Sequence, residues 1–171
     1  HYALGEANDL HGCQVGVGTI ATAALYENLL ALDPASIDVD ACLARHKPWV
    51  QQQRVVQERF GTLSDAVLPH AQQGHAEPEQ LFQRLSLLKN NWHEIAAELG
   101  TILRPAAQIK ADLQAAQGPT DFAALGVQPA RARRAILHSK DIRARYTILH
   151  LLDELGLLES WTDEVLADLD F

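Results

Sequence analysis

Apolar positions recur along this chain at three- and four-residue steps, the spacing of one helix face, and no run alternates with a period of two between hairpin turns. The pattern predicts an all-α protein. The segment from Val15 to Leu32 is apolar on nearly every side (Val15, Val17, Ile20, Ala21, Ala24, Leu25, Leu29, Leu30), as expected of a helix through the centre of a domain. Asp33-Pro34 ends it. Ser36 or Asp38 is placed to cap a short helix reaching Arg45, and Lys47-Pro48 breaks the chain again. An amphipathic stretch then runs from Trp49 to Phe60, with Gly61 as its stop.

A helix is predicted over Thr62 to Ala71, then a loop over Gln72-Gln73-Gly74-His75, then Pro78 in the first turn of the next helix. Leu81, Leu85, Leu88, Trp92, Ile95, Leu99 and Ile102 make one stripe, read as a single long helix up to Arg104-Pro105. Another runs from Pro105 toward Gly118. A turn at Gly118-Pro119-Thr120-Asp121 leads into a short helix to Leu125 with Gly126 as its cap, and Pro129 opens the next. After a turn near His138-Ser139, Ile142, Tyr146, Leu149 and Leu152 share one face of a helix that stops at Gly156. Thr162 caps a last helix ending at Phe171. No internal repeat and no low-complexity segment is present, so residues 1–171 are expected to form one helical bundle.

Composition narrows the function. With 14 Lys and Arg against 22 Asp and Glu, the net charge of -8 argues against nucleic acid as a partner. Cys13 and Cys42 lack CxxC spacing, and no apolar run reaches the length of a membrane span, so a cytoplasmic protein with no membrane span is expected. The chain opens at His1 and contains no methionine, and so reads as a piece of a longer protein.

The least ordinary stretch is Leu10-His11-Gly12-Cys13-Gln14-Val15-Gly16-Val17-Gly18-Thr19. A glycine inside a helix costs about 1 kcal/mol relative to alanine, so Gly16 and Gly18 ask for a reason. Either they admit a close neighbour or ligand, or they serve tight helix packing with His11 as a capping or core residue. This stretch resembles the metal-binding segment of the iron-containing alcohol dehydrogenase and dehydroquinate synthase superfamily. Within it, LHGCQVGVGT is most similar to sn-glycerol-1-phosphate dehydrogenases. Cys13 stands where those usually have Glu, a departure that leaves the ligand position untouched. Lys140-Asp141-Ile142-Arg143-Ala144-Arg145-Tyr146-Thr147-Ile148-Leu149 resembles the same family's late helix, and the region from Pro105 to Gly126 its helix, turn and short helix.

The resemblance implies a C-terminal helical metal and substrate domain of the dehydroquinate synthase-like fold, with the N-terminal nucleotide-binding domain absent from this chain. It implies a divalent metal (zinc, nickel or iron) held by an acidic side chain and two histidines, with NAD(P) bound mainly by the other domain. His11 corresponds to one metal ligand. His1 corresponds to the second member of a His-x-x-x-His pair, touching a substrate oxygen or relaying a proton. In the alternative register His1 is itself a ligand. The implied activity is interconversion of dihydroxyacetone phosphate and glycerol-1-phosphate, a small phosphorylated polyol, with the isolated chain inactive. A polyol or alcohol dehydrogenase, a dehydroquinate synthase-like domain, and a non-catalytic helical interaction module stand as alternatives. The expected partner is the chain's own nucleotide-binding domain, and an uncovered apolar face leaves a homo-oligomer open.

The remaining candidates read more plainly. His46, His70, His75 and His93 lie in polar or loop-like settings and are assigned to the surface. His150 is placed to reach an interdomain cleft. Arg143 and Arg145 suit a phosphate, or equally salt bridges and packing of their stems.

Overall fold

Helix α1 (His11–Leu30) is the axis around which the chain is built, because its sequence offers apolar groups to several neighbours at once. Val17, Ile20, Leu25 and Leu29 are fully or almost fully buried along it. The computed structural model describes residues 11–168, and no strand occurs among them. After α1 come α2 (Val39–Arg45), α3 (Trp49–Phe60), α4 (Ser64–Gly74), α5 (Pro78–Asn90) and α6 (Trp92–Ile102). Then follow α7 (Ala106–Ala115), α8 (Pro129–Ser139), α9 (Ile148–Leu155) and α10 (Leu158–Asp168). The all-α class expected from the pattern is what the chain adopts.

Helix α1 packs against α7, α9 and α10; α8 lies on α9 and α10; α2 lies on α5. Leu81 and Leu85 of α5 and Leu152 of α9 complete the main core with no exposure. Helices α3 and α4 pair with each other around a second, smaller core of Val56, Val67 and Ala71, flanked by Trp49, Phe60 and Leu68. A 3-10 turn at Lys140–Ile142 contacts both α4 and α8 and so joins the two cores.

Several boundaries follow the local chemistry that predicts them. Asp38 caps α2 by accepting from the Ala41 N–H at 2.9 Å, while Ser36 donates to the Asp33 carbonyl instead. Helix α9 ends at Gly156, whose φ of +74° a β-carbon would disfavour. The Leu157 N–H then reaches back to the Leu152 carbonyl at 2.8 Å, and Arg45 donates to the Leu155 carbonyl at 3.0 Å.

Four expectations are corrected. Helix α4 continues through Gln72 and Gln73 to Gly74 instead of stopping at Ala71, since Ala71 is held in the small core and glutamine extends a helix readily. The long stripe is two helices. Asn91, at φ -111° and ψ 17°, breaks it by turning its side-chain amide onto the Leu87 carbonyl at 2.9 Å. Leu81, Leu85, Leu88 and Trp92 of the stripe stay buried, whereas Ile102 at the far end is 68% exposed. Residues 119–126 are turns, not a short helix, organised by the Asp121 side chain accepting from the Ala124 N–H at 2.7 Å. Thr162 lies inside α10, wholly buried and with its hydroxyl unpartnered, because Gly156 lets that helix begin at Leu158.

The largest correction concerns residues 142–147, expected on a helix with α9. Lys140 and Asp141 are buried, at 7% and 3% exposure, and Arg143 is already extended at φ -142°, ψ 139°. Thr147 and His150 form a reciprocal cap that starts α9 only at Ile148. The residues between those two anchors cross as a non-helical strap, bent at 143–145.

Asp141 accepts from Lys140 at 3.0 Å and from Arg59 of α3 at 3.2 Å, and Lys140 also reaches Asp153 of α9 at 3.2 Å. Removing one partner of a buried pair strands the other charge, which costs about 3–5 kcal/mol. Asp141→Ala is expected to lower the unfolding free energy by that amount in urea titration at pH 7. A loss under about 1 kcal/mol, the scale of an exposed pair, would mean the pair is no structural tie.

Candidate functional site

His11 is the first residue of α1 and is exposed. Positions 11, 15, 18 and 22 follow helical spacing and share one face, carrying His11, Val15, Gly18 and Thr22. Val15 on this face is 50% exposed. A β-carbon at Gly16 would meet the methyl groups of Leu113 at 3.1 Å, so packing of α7 accounts for that glycine. A β-carbon at Gly12 or Gly18 would touch nothing within 4 Å. At those two glycines, packing among the described residues gives no reason for the missing side chain. His1 lies outside the described residues. Among those described, no three His, Cys, Asp or Glu side chains are arranged to hold a metal ion, so His11 stands as a single donor.

A second constellation was not foreseen. Arg45, His46, Gly74, His75, Lys140, Asp141 and His150 are among the groups lining a polar cavity of about 180 Å³. The surface assignment of His46 and His75 is corrected: their rings stack at 4.9 Å, Trp49 leans on His75 at 5.5 Å, and both Nε2 atoms are buried without a protein partner. A polar space of this size is roomy enough to hydrate them. His70 and His93 are exposed as expected.

His150 is buried, and its Nδ1 accepts from the Thr147 N–H at 3.2 Å, leaving Nε2 to carry the proton in the neutral ring. That nitrogen lies where a β-carbon on Gly74 would come within 2.9 Å, so the end of α4 must be glycine for the cap to form. Burial pushes the His150 imidazole below its ordinary value, with the charge of Lys140 acting the same way. Burial also lowers His75, helped by His46, and His138, helped by Arg59. The Cys42 thiol is pushed up by burial, which keeps it protonated and unreactive.

The strap separates two further hollows. Ala144 and Tyr146 line one of about 460 Å³ with Arg84 and Leu87. There the Tyr146 hydroxyl donates to Glu154 at 2.7 Å, Arg84 pairs with the same carboxylate, and the guanidinium lies 4.3 Å over the Tyr146 ring. Burial raises the Glu154 carboxyl against the opposing pull of Tyr146 and Arg84. Arg143, Arg145 and Thr147 line the other hollow, of about 630 Å³, with Thr22 of α1 and His70 of α4. The expected helix would have put Arg143 and Arg145 on opposite sides; the non-helical strap brings both to the lining of this hollow.

No family model, curated protein or solved structure matches this chain. Among the described residues no helix is long and apolar enough to cross a membrane.

The lowered imidazoles set the response to acid. His75, His138 and His150 regain their ordinary value of 6.5 on unfolding, so below that pH the unfolded chain binds more protons and stability falls. Glu154, raised in the folded state, opposes them singly. The urea midpoint is expected to be lower at pH 5.5 than at pH 7.5, with the difference reduced in His75→Gln. Equal wild-type midpoints would show that these rings are not held neutral by the fold.

Proposed function

We propose that this chain is the metal- and substrate-side helical half of an NAD(P)-linked dehydrogenase that interconverts dihydroxyacetone phosphate and glycerol-1-phosphate. The observation that carries the reading is the open face of α1. His11 is exposed at its N-terminal end, and a β-carbon at Gly12 or Gly18 would meet no described residue within 4 Å. A helix that forgoes a side chain at Gly18, at a stability cost of about 1 kcal/mol, has a reason if something else approaches the face it shares with His11. The resemblance of LHGCQVGVGT to the metal-binding segment names what approaches: a metal ion, a substrate and a nucleotide-binding half.

An exposed imidazole at a helix start fits the role of one donor in a shared set. The described residues supply that one donor, so the remaining ligands would come from outside residues 11–168. A divalent metal, when bound, supplies a Lewis acid for a carbonyl or alcohol oxygen. His11 binds, and so orients, whatever occupies the open face. His1, on the same reading, touches a substrate oxygen or passes a proton.

A chain extended upstream through a nucleotide-binding half is expected to oxidise NADH with dihydroxyacetone phosphate, and both a chelator and His11→Ala are expected to abolish the rate. Reduction of plain ketones or polyol precursors in its place would move the chain to another dehydrogenase branch. Absence of any metal- or His11-dependent turnover in a folded protein would leave the open face to a non-catalytic helical partner, which the half-exposed Val15 also suits.

A further inference from the structure

Helices α2 and α4 belong to different cores, α2 to the main one through α5 and α4 to the small one with α3, yet each ends in a histidine and the two rings meet. His46 closes α2, its N–H donating to the Cys42 and Leu43 carbonyls at 3.1 Å. His75 closes α4, its N–H donating to the Gln72 carbonyl at 3.2 Å. The imidazoles stack with centroids 4.9 Å apart, and Trp49, beside the small core, backs His75. Among the described residues, their Nε2 atoms are the buried side-chain nitrogens without a partner.

A neutral ring is tolerated there and a charged one is not. A proton on either imidazole makes both its nitrogens donors and places a cation where no acceptor is free. The carboxylates around the polar cavity are already answered: Asp141 by Lys140 and Arg59, Asp153 by Lys140, Glu154 by Arg84 and Tyr146, and Glu159 by Arg133. Arg45, Lys47, Arg59 and Lys140 line the same space as cations, and the Cys42 thiol and the His150 ring of α9 are neutral there. Glu77, at the start of α5, is exposed and favours a charged His75, but burial outweighs it, with His46 and Lys140 acting in the same direction as burial. The stack is therefore complete above pH 6.5, the ordinary imidazole value, and weakens as the pH falls below it.

His75 and the adjacent Gly74 line both the polar cavity of about 180 Å³ and the hollow of about 460 Å³ beside Tyr146, and so form the wall the two share. We propose that the His46–His75 stack is a proton-operated latch on this wall: protonation parts the rings, frees the segments that follow α2 and α4, and joins the cavity of Lys140, Asp141 and His150 to the hollow. The main core around α1 packs on α7, α9 and α10 and takes no part, so the opening is local and precedes loss of the fold.

The test is amide hydrogen exchange of the full chain at pH 7.5 and 5.5, each rate divided by that of an unstructured peptide at the same pH. Protection of the His46 and His75 amides is expected to fall at pH 5.5, by up to about tenfold for each proton taken up, while Leu25 and Leu29 of α1 stay equally protected at both. H46Q/H75Q is expected to remove this response, and H138Q, which replaces a buried imidazole packed on Phe60 outside the stack, to keep it. If the double variant has lost the α1 protection at pH 7.5, H75Q alone makes the same comparison. No fall at pH 5.5, an equal fall at Leu25 and Leu29, a response that survives in H46Q/H75Q, or one that disappears in H138Q would overturn the latch.

Discussion

The buried pair of Lys140 and Asp141 is the constraint on which the arrangement of this molecule depends. Two ions removed from water are costly unless each is well paired, and here each has a second partner: Arg59 of α3 on Asp141, Asp153 of α9 on Lys140. The set spans the boundary between the small core of α3 and α4 and the main core around α1. A buried ion pair is weak support for stability as such. Its effect is positional, since apolar contact alone would allow the α3–α4 pair several seats against the rest, whereas four charged groups accept one.

That seat decides the course of the next residues. With Lys140 and Asp141 held on one side and the Thr147–His150 cap starting α9 on the other, the chain between is not helical and bends at residues 143–145. The strap lies between two hollows and lines both of them. Tyr146 settles against Glu154 and Arg84, and Arg143 and Arg145 come together beside Thr22.

What could be read from the chain alone was set by local signals. Asp38 before α2, Pro48 before α3, Gly61 after it, Pro78 and Pro129 at helix starts, and Gly156 after α9 all act within a turn of the residues they cap, and all sit where expected. The misreadings arise where distant partners decide. Ile142, Tyr146, Leu149 and Leu152 fit a helical face, yet Ile142 and Tyr146 are exposed, because burial of Lys140 and Asp141 outweighs the periodicity. The Thr147 and His150 spacing was the available clue, obscured because histidine stands where Glu or Gln is usual. His46 and His75 are the loop residues they looked like, but nothing local announces that their rings stack on each other and bury Nε2. For His11 the motif pointed to the position, but that Gly12 and Gly18 front open space required the fold.

The most direct test of this account is the backbone conformation of residues 143–147 in solution, read from NMR chemical shifts and amide–Hα couplings. Non-helical values through Thr147, extended at Arg143 and Thr147 themselves, with helical ones beginning only at Ile148, are predicted. Continuous helical values from Ile142 into α9 would contradict it, since Arg143 and Arg145 would then point to opposite sides and the hollow between them would not exist.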